Sequence, residues 1–212
     1  MSTDQSARGT ATRRLQADHT RARMLEAAWD MVRTHGPAAF TVRRLASRVV
    51  VATGLPSVHF GSREGLLDEL RVRVWDQIDA VIATAQRDPA LATVEARVRA
   101  GIRAVAQFAL DEPHLYALLA LVPGAVLSDA VLAREVRTAQ PFVQRLIEGA
   151  AAGELRFSGD PVVFALALWT SVQGYVLRMS ATLPAPFRAY QARVLDEILD
   201  AFFARVRAPE LP

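Results

Sequence analysis

Short breaks rich in glycine and proline divide this chain into segments whose apolar residues recur every three or four positions. That spacing places the apolar residues on one face of a helix, and no strand pattern of comparable strength appears. The sequence therefore predicts an all-α protein of about nine helices. The breaks between the predicted helices read HGP, RDPA, DEP, VPG, GELRFSGDP and TLPAP.

The first predicted helices can be placed by their caps. The first helix begins near Arg21 and ends at the HGP break, since glycine and proline are typical of a helix C-terminus. Thr41 can cap a short second helix that continues to Arg48, and Ser62 can cap a long fourth helix that reaches the RDPA break. A third short helix is expected within 52–59, and later helices are predicted at 93–110, 113–121, 128–152, 160–181 and 187–207.

The two ends of the chain differ in charge. All 25 basic side chains are arginine. Residues 1–73 carry 12 arginines and 7 acidic side chains, a formal charge of +5, whereas residues 74–212 carry 13 arginines and 15 acidic side chains, a formal charge of −2. The positive excess favours an anionic partner at the N-terminal end.

Several classes of enzyme site are excluded by the residues present. The chain has no cysteine, which excludes disulfides, cysteine-ligated zinc and thiol nucleophiles. Its four histidines are scattered, and it has no histidine-glutamate metal motif, nucleophile elbow or phosphate-binding loop. We expect no enzymatic activity, no metal and no cofactor; robust turnover of a substrate would reveal an enzyme instead.

Neither end of the chain nor its interior predicts a membrane protein. The first 20 residues lack the hydrophobic core of a signal peptide. The longest nearly apolar run, 162–177, is interrupted by Thr170, Ser171 and Gln173 and is shorter than the roughly 20 residues of a membrane helix. We expect a cytoplasmic protein with no membrane partner.

The N-terminal region carries the motifs of a known family. The sequence RMLEAAWDMVRTHGPAAFTVRRLA is followed by HF at His59 and Phe60 and by SREGLL at 62–67, and the spacing equals the family's without a gap. In these features the chain resembles the tetracycline-repressor (TetR) family of transcriptional regulators. The resemblance implies a three-helix helix-turn-helix DNA-binding domain at 19–66 and a helical ligand-binding and dimerisation domain at 67–208. Residues 1–18 are small, polar and basic and have no periodic apolar positions, so we expect a disordered basic arm there.

The turn and the third helix depart from the family pattern, which usually has Ala-Gly-Val-Ser and then Leu-Tyr. Val50 replaces a glycine, and a β-branched residue takes up a left-handed conformation at a cost of about 1–2 kcal/mol. Ala52 replaces a capping serine, and Pro56 would lie inside a helix that is capped there. A cap at Thr53 would place Pro56 in the first turn. We predict a remodelled turn and a third helix that starts late or is short.

The resemblance also implies which residues contact DNA. In the family, the starts of the second and fourth helices meet phosphates, the third helix enters the major groove, and the counterpart of His59 contacts a phosphate. Each of these side chains could instead be solvated and without a role. The candidate contacts are Thr41, Arg43, Arg44, Thr53, Gly54, Ser57, His59 and Arg63.

The sequence DPVVFALALWTSVQGYVLRM resembles the eighth helix of a TetR subgroup with the signature Trp-x-x-x-His-Gly, and Gln173 takes the place of the histidine. The family has an effector pocket among its fourth to eighth helices, so the resemblance implies a small lipophilic effector. Ordinary core packing is the alternative for each lining residue. The candidate ligand-binding residues are Ile78, Ile82, Phe108, Tyr116, Leu121, Phe142, Trp169 and Gln173.

The last two predicted helices carry more apolar surface than one packing face requires. Helix 160–181 is apolar nearly all round, and helix 187–207 has two apolar stripes. In the family, these two helices of each subunit form a four-helix interface, so we expect a homodimer. The candidate interface residues are Val172, Val176, Val194, Leu195, Ile198 and Phe202.

Together these features predict a ligand-responsive transcriptional regulator, a repressor, that binds a pseudo-palindromic operator as a homodimer. Its partners would be double-stranded DNA, a small lipophilic effector and a second copy of the chain. The altered turn leaves an alternative open, namely a family member with degenerate DNA reading that acts as a ligand-binding or protein-binding dimer. The salt dependence of DNA binding separates the two.

Overall fold

The computed structural model describes residues 2–119, 127–180, 186 and 189–207. Over these ranges the chain forms nine α-helices and one short 3₁₀ helix, Pro37–Ala39, with no β-strand beyond an isolated bridge between Leu155 and Arg207. The predicted all-α fold is confirmed. The helices are α1 (Ser2–His35), α2 (Val42–Val49), α3 (Leu55–Phe60), α4 (Arg63–Ala85), α5 (Val94–Asp111), α6 (Pro113–Tyr116), α7 (Asp129–Ala151), α8 (Pro161–Ser180) and α9 (Gln191–Phe203).

The first helix is longer than the sequence predicted. It begins at Ser2, so the prediction of a disordered arm is wrong for residues 2–18. This segment contains no proline and includes alanine, arginine and glutamine, which favour helices. The side chains from 14 to 19 are exposed. The extension therefore rests on backbone propensity and on continuity with the packed part of α1, which starts at Met24.

The first three helices and the beginning of α4 share an apolar core. Met24 of α1, Phe40 ahead of α2, Leu45 of α2 and Leu67 of α4 are at most 2% exposed, and Phe60 at the end of α3 is also buried. Each helix buries one stripe of residues against the others, as expected of amphipathic helices.

Both predicted N-caps are present. The Thr41 hydroxyl accepts a hydrogen bond from the backbone N–H of Arg44 at 3.2 Å, and the Ser62 hydroxyl accepts one from Gly65 at 2.9 Å. These bonds satisfy donors that the first turn of a helix leaves free. From its cap, α4 continues without interruption to Ala85 and packs against α5 and α7.

A buried arginine joins α7 to α4. Arg134 is 8% exposed, and its guanidinium donates hydrogen bonds to Asp76 at 2.9 Å and to Asp79 at 2.5 Å. The two carboxylates compensate the charge that would otherwise be costly to bury.

Glu95 joins α5 to the end of the described chain. Its carboxylate accepts two hydrogen bonds from Arg207, at 2.7 and 2.9 Å, and one from Arg99 at 2.7 Å. The bonds from Arg207 lower the pKa of Glu95, burial opposes them, and Arg99 adds to the lowering.

This pKa shift makes the contribution of Glu95 to stability depend on pH. A carboxyl group whose pKa is lowered by folding stabilises the native state above its unfolded pKa of about 4.3, and the stabilisation is lost as the pH falls through the folded value. We expect Glu95→Gln to lower the free energy of unfolding by about 1–3 kcal/mol at neutral pH and by less in acid. Urea unfolding at neutral pH and near pH 3 checks this, with Glu148→Gln on the exposed side of α7 as control. An equal loss at both pH values would contradict it.

The composition of α8 also meets the requirements of a membrane span. Its window Pro161–Met179 has a mean hydropathy of 1.4, and 28% of the window is buried. A core helix of a soluble protein meets the same requirements of length and composition, and one side of α8 packs against α5, α7 and α9.

Candidate DNA-binding surface and ligand cavity

Val50 lies where the chain turns between α2 and α3. Its φ and ψ are both 58°, and it is the one non-glycine residue with positive φ in the described ranges. The turn closes on hydrogen bonds from the N–H of Val50 to the carbonyl of Ser47 and from the N–H of Val51 to the carbonyl of Ala46, at 3.4 and 3.0 Å. The Val50 side chain is 89% exposed, so packing does not offset the strain. The turn is kept at a cost in backbone energy, so the prediction of a remodelled turn is wrong.

Val50→Gly is expected to stabilise the protein by about 0.5–1 kcal/mol. Glycine removes a steric penalty of about 1–2 kcal/mol in the left-handed conformation. It also raises the conformational entropy of the unfolded chain, and this opposing effect costs about 0.5–1 kcal/mol. The control is Val58→Gly, because Val58 is also exposed, at 79%, but lies within α3. That variant should lose about 0.5–1 kcal/mol. Thermal unfolding measures the difference, and destabilisation by both changes would refute strain at Val50.

The third helix starts late and is short, as predicted. It has six residues and begins at Leu55, with Gly54 at the N-cap, one residue beyond the predicted cap at Thr53. Pro56 lies in the first turn, where a missing N–H removes no helical hydrogen bond. Pro56 and Phe60 are buried and fix the inner face of the helix.

The outer face of α3 and of the preceding turn consists of small side chains. Thr53, Gly54 and Ser57 are exposed, as groove-facing residues must be. Val58 is exposed beside them and was not among the predicted contacts. Sequence reasoning had no signal for it, since valine more often marks a buried position. Thr53, Ser57 and Val58 offer hydroxyl and methyl groups to a partner, and Gly54 leaves the backbone accessible.

Two of the predicted phosphate contacts are also used within the protein. Arg44 donates to the carbonyl of Ala39 at 2.8 Å. Arg63 donates to the carbonyls of Pro37 and Phe40 at 3.2 and 3.4 Å. Both arginines therefore anchor the 3₁₀ segment ahead of α2.

Arg43 differs from these two arginines. It is exposed, and its guanidinium has no hydrogen bond or ion pair with any residue that the structure describes. His59 is half-buried, and its ring centroid lies 6.4 Å from that of Phe60. Thr41 is exposed but its hydroxyl already caps α2. Among the predicted phosphate contacts, the guanidinium of Arg43 is therefore the one that has no partner in the described part of the protein and can bind an anion.

A cavity of about 490 Å³ lies among α4, α5, α7 and α8. This volume falls within the range of small-molecule sites. Three of the predicted ligand-binding residues line it, namely Ile82 of α4, Phe142 of α7 and Trp169 of α8. These helices lie in the region where the resemblance predicts an effector pocket.

The remaining predicted ligand-binding residues do not line this cavity or cannot be placed. Leu121 lies outside the described residues. Helical periodicity identifies the inward face of a helix but not the stretch of that face that borders a void. The predicted residues that lie elsewhere are Ile78 and Tyr116, which are buried in the core, and Phe108 and Gln173, which are half-buried.

Sequence reasoning missed the polar part of the lining, most of which lies on α7. Glu135, Thr138 and Arg145 border the cavity there. The available signal was Pro141 inside the helix. Proline has no N–H, so the Arg137 carbonyl one turn earlier loses its helical donor, and both residues line the cavity.

Two tryptophans contribute aromatic surface to the cavity. The ring centroids of Trp75 and Trp169 are 6.4 Å apart, with planes inclined at 35°. The indole N–H of Trp75 is buried and has no acceptor among the described residues. Nearby, a Cβ at Gly101 would lie 2.8 Å from the Gln86 side-chain nitrogen, so a larger residue at position 101 would displace the end of that side chain.

Three of the predicted interface residues are buried within the protomer. Val172, Val176 and Leu195 are at most 5% exposed. They pack in the core that α8 and α9 share with α5, so their assignment to a dimer interface was wrong. Because α8 is apolar on nearly all sides, its sequence does not indicate which side packs in the core of its own protomer.

The outer sides of α8 and α9 remain apolar. Val163 and Leu177 of α8 are 63% and 50% exposed, and the predicted interface residue Val194 is 37% exposed. The other two predicted residues, Ile198 and Phe202, are partly buried against the core. An apolar surface on the last two helices is therefore available for a partner.

Two family models match the chain. The model for bacterial regulatory proteins of the tetR family matches residues 24–70, and the tetracyclin repressor-like C-terminal domain matches residues 98–205, about half of the chain. The chain belongs to the TetR family of transcriptional regulators. The first match contains the α2–α3 turn, so this is the helix-turn-helix of a DNA-binding module. The second match contains α7 and α8 and most of α5, the helices that form three sides of the cavity.

Solved structures share the fold. A protein of unknown function from Rhodococcus sp. RHA1 is 24% identical, covers 90% of this chain and 96% of its own, and has a TM-score of 0.72. A tetR-family regulator from Shewanella sp. PV-4 is 18% identical over 90% and 99% of the two chains, with a TM-score of 0.68. AibR, solved with isovaleryl coenzyme A and operator DNA, is 18% identical over 87% and 98%, with a TM-score of 0.63. Comparison with curated proteins found no match.

Proposed function

We propose that this TetR-family regulator is a repressor that binds a pseudo-palindromic DNA site as a homodimer and releases it when a small lipophilic effector fills the cavity. The observation that carries the proposal is the continuity of α4. Its first turn packs in the DNA-binding module, and Trp75, Asp79 and Ile82 further along the same helix line the cavity. AibR has the same fold and was solved with operator DNA and with isovaleryl coenzyme A, which supports a regulator that binds both DNA and a small molecule.

The coupling between the two sites follows from the rigidity of α4. An effector that displaces Trp75 or Ile82 would shift the whole helix, because no break interrupts it. In a dimer this shift would change the separation of the two α3 helices, which must match half-sites about one helical turn apart. The ion pairs of Arg134 with Asp76 and Asp79 transmit movement of α7 to the same helix.

The exposed residues of the DNA-binding surface would contact different parts of the DNA. Arg43 would contact a phosphate and set the orientation of the module. Thr53 and Ser57 would reach base edges with their hydroxyl groups, and Val58 would pack against a thymine methyl group in the major groove.

The proposed contact of Val58 can be tested on a duplex that is selected from random sequence. Replacing the contacted thymine in both half-sites by uracil removes two methyl groups and should weaken binding by about tenfold. With Val58→Ala the same replacement should have a smaller effect, because two of the three side-chain carbons that meet the thymine methyl group are removed. Fluorescence anisotropy measures both affinities. Equal sensitivity to uracil in the wild type and in Val58→Ala would disprove this contact.

One observation favours a second candidate function. α3 has only six residues and no side-chain cap, so it offers little surface for base reading. A protein with this helix and an intact cavity would act as a ligand-responsive dimer that binds DNA weakly and without sequence preference. Weak binding that disappears at physiological salt, without enrichment of any site, would favour this candidate.

A further inference from the structure

The charged side chains around the cavity differ in whether they are paired. Asp79 is held by Arg134 at 2.5 Å, and Arg145 donates a hydrogen bond to the side-chain oxygen of Gln86. Glu135 lines the cavity and is half-buried, yet no hydrogen bond or ion pair reaches its carboxylate from any described residue. Burial alone raises the pKa of Glu135, and no cation offsets this effect.

The side chains that border the cavity together with Glu135 are mostly aromatic or apolar. Trp75 and Trp169 border the same cavity, together with Ile102 and Phe142. Aromatic faces attract cations as well as apolar groups, and this attraction grows when water is excluded. Tyr116 lies near Glu135, and burial and this carboxylate together raise its pKa to about 12, so the phenol adds no negative charge.

We propose that the cavity binds a lipophilic amine, whose ammonium group pairs with Glu135 and whose apolar body packs against the tryptophans. A half-buried carboxylate without a partner is costly, and a ligand cation supplies the missing charge and hydrogen-bond donors. The arginines that line the cavity do not neutralise Glu135, because Arg145 is bonded to Gln86 and Arg137 is exposed. This inference rests on the proposed function and specifies the class of its effector.

Three probes with one apolar body and different head groups test the proposal. These are biphenylmethylamine, biphenylmethanol and biphenylcarboxylate, titrated into the full-length protein by calorimetry at neutral pH. The amine should bind about tenfold more tightly than the alcohol, and Glu135→Gln should remove this preference while leaving alcohol binding within about threefold. Glu148→Gln, an exposed carboxylate on the same helix, should change neither affinity.

The outcomes separate the effector class from the regulatory function. Tighter binding of the carboxylate would overturn the proposal in favour of an anion site at the arginines of α7. Equal binding of all three probes, or binding of none, would also overturn it. Selection of DNA sites with the same protein is independent of the probes, so the proposed function can stand while the amine class fails. Loss of alcohol binding in Glu135→Gln would show a damaged cavity and refute the specific pairing.

Discussion

Arg43→Ala is expected to lower the affinity for a selected duplex by about 100–200-fold without changing the stability of the protein. Arg43 is exposed and forms no hydrogen bond or ion pair within the described chain, so its removal leaves no group unpaired. In a dimer two phosphate contacts would be lost, each a charge-assisted hydrogen bond worth about 1.5 kcal/mol. The slope of log affinity against log salt should become shallower by about 1.8, because each phosphate contributes about 0.9.

Arg87→Ala is the matched control, because Arg87 is also exposed but lies beyond the far end of α4. It should change neither the affinity nor the salt slope. Anisotropy titrations at four salt concentrations measure both quantities. An unchanged slope in Arg43→Ala would show that Arg43 does not neutralise a phosphate and would shift the electrostatic contribution to Arg44 and Arg63.

Ala165→Phe is expected to weaken binding of a lipophilic probe by at least about tenfold in a protein that still folds and binds DNA. Ala165 is 2% exposed on α8 and lines the cavity. A phenyl group at this position would occupy space that a ligand needs, and overpacking would cost about 1–3 kcal/mol of stability. Nile red is a suitable neutral probe because its fluorescence reports transfer to an apolar site.

The control is Ala151→Phe, which adds the same group at the exposed end of α7, outside the cavity. It should leave the Nile red affinity unchanged. DNA binding reports on folding of both variants. A DNA-competent Ala165→Phe protein with undiminished Nile red binding would show that the dye, and by extension the effector, binds elsewhere.

Periodicity and capping residues predicted the helices well because both are local properties. Thr41 and Ser62 cap the helices that they were expected to cap. The prediction of a remodelled turn was wrong, because Val50 takes up the left-handed conformation of the family's glycine despite its steric cost. The late start of α3 followed from the geometry of Pro56.

The predictions that failed depended on which of several buried faces meets which neighbour. Val172 and Val176 were assigned to a partner chain, but the protomer's own helices cover them. Ile78 was placed in the pocket, but it packs in the core beside the cavity. The role of Glu135 could not be predicted either, because a glutamate on a helix is usually solvated and only the tertiary structure brings it to the cavity wall.

The central claim, that the α2–α3 turn with Val50 and Pro56 still presents a DNA-reading helix, is tested most directly by selecting sites from random duplex DNA with the purified protein. The selected duplex is then titrated against a scrambled one at several salt concentrations. We predict enrichment of a pseudo-palindrome with half-sites about one helical turn apart, bound well above the scrambled control. No enrichment, with weak binding that vanishes at physiological salt, would contradict the claim.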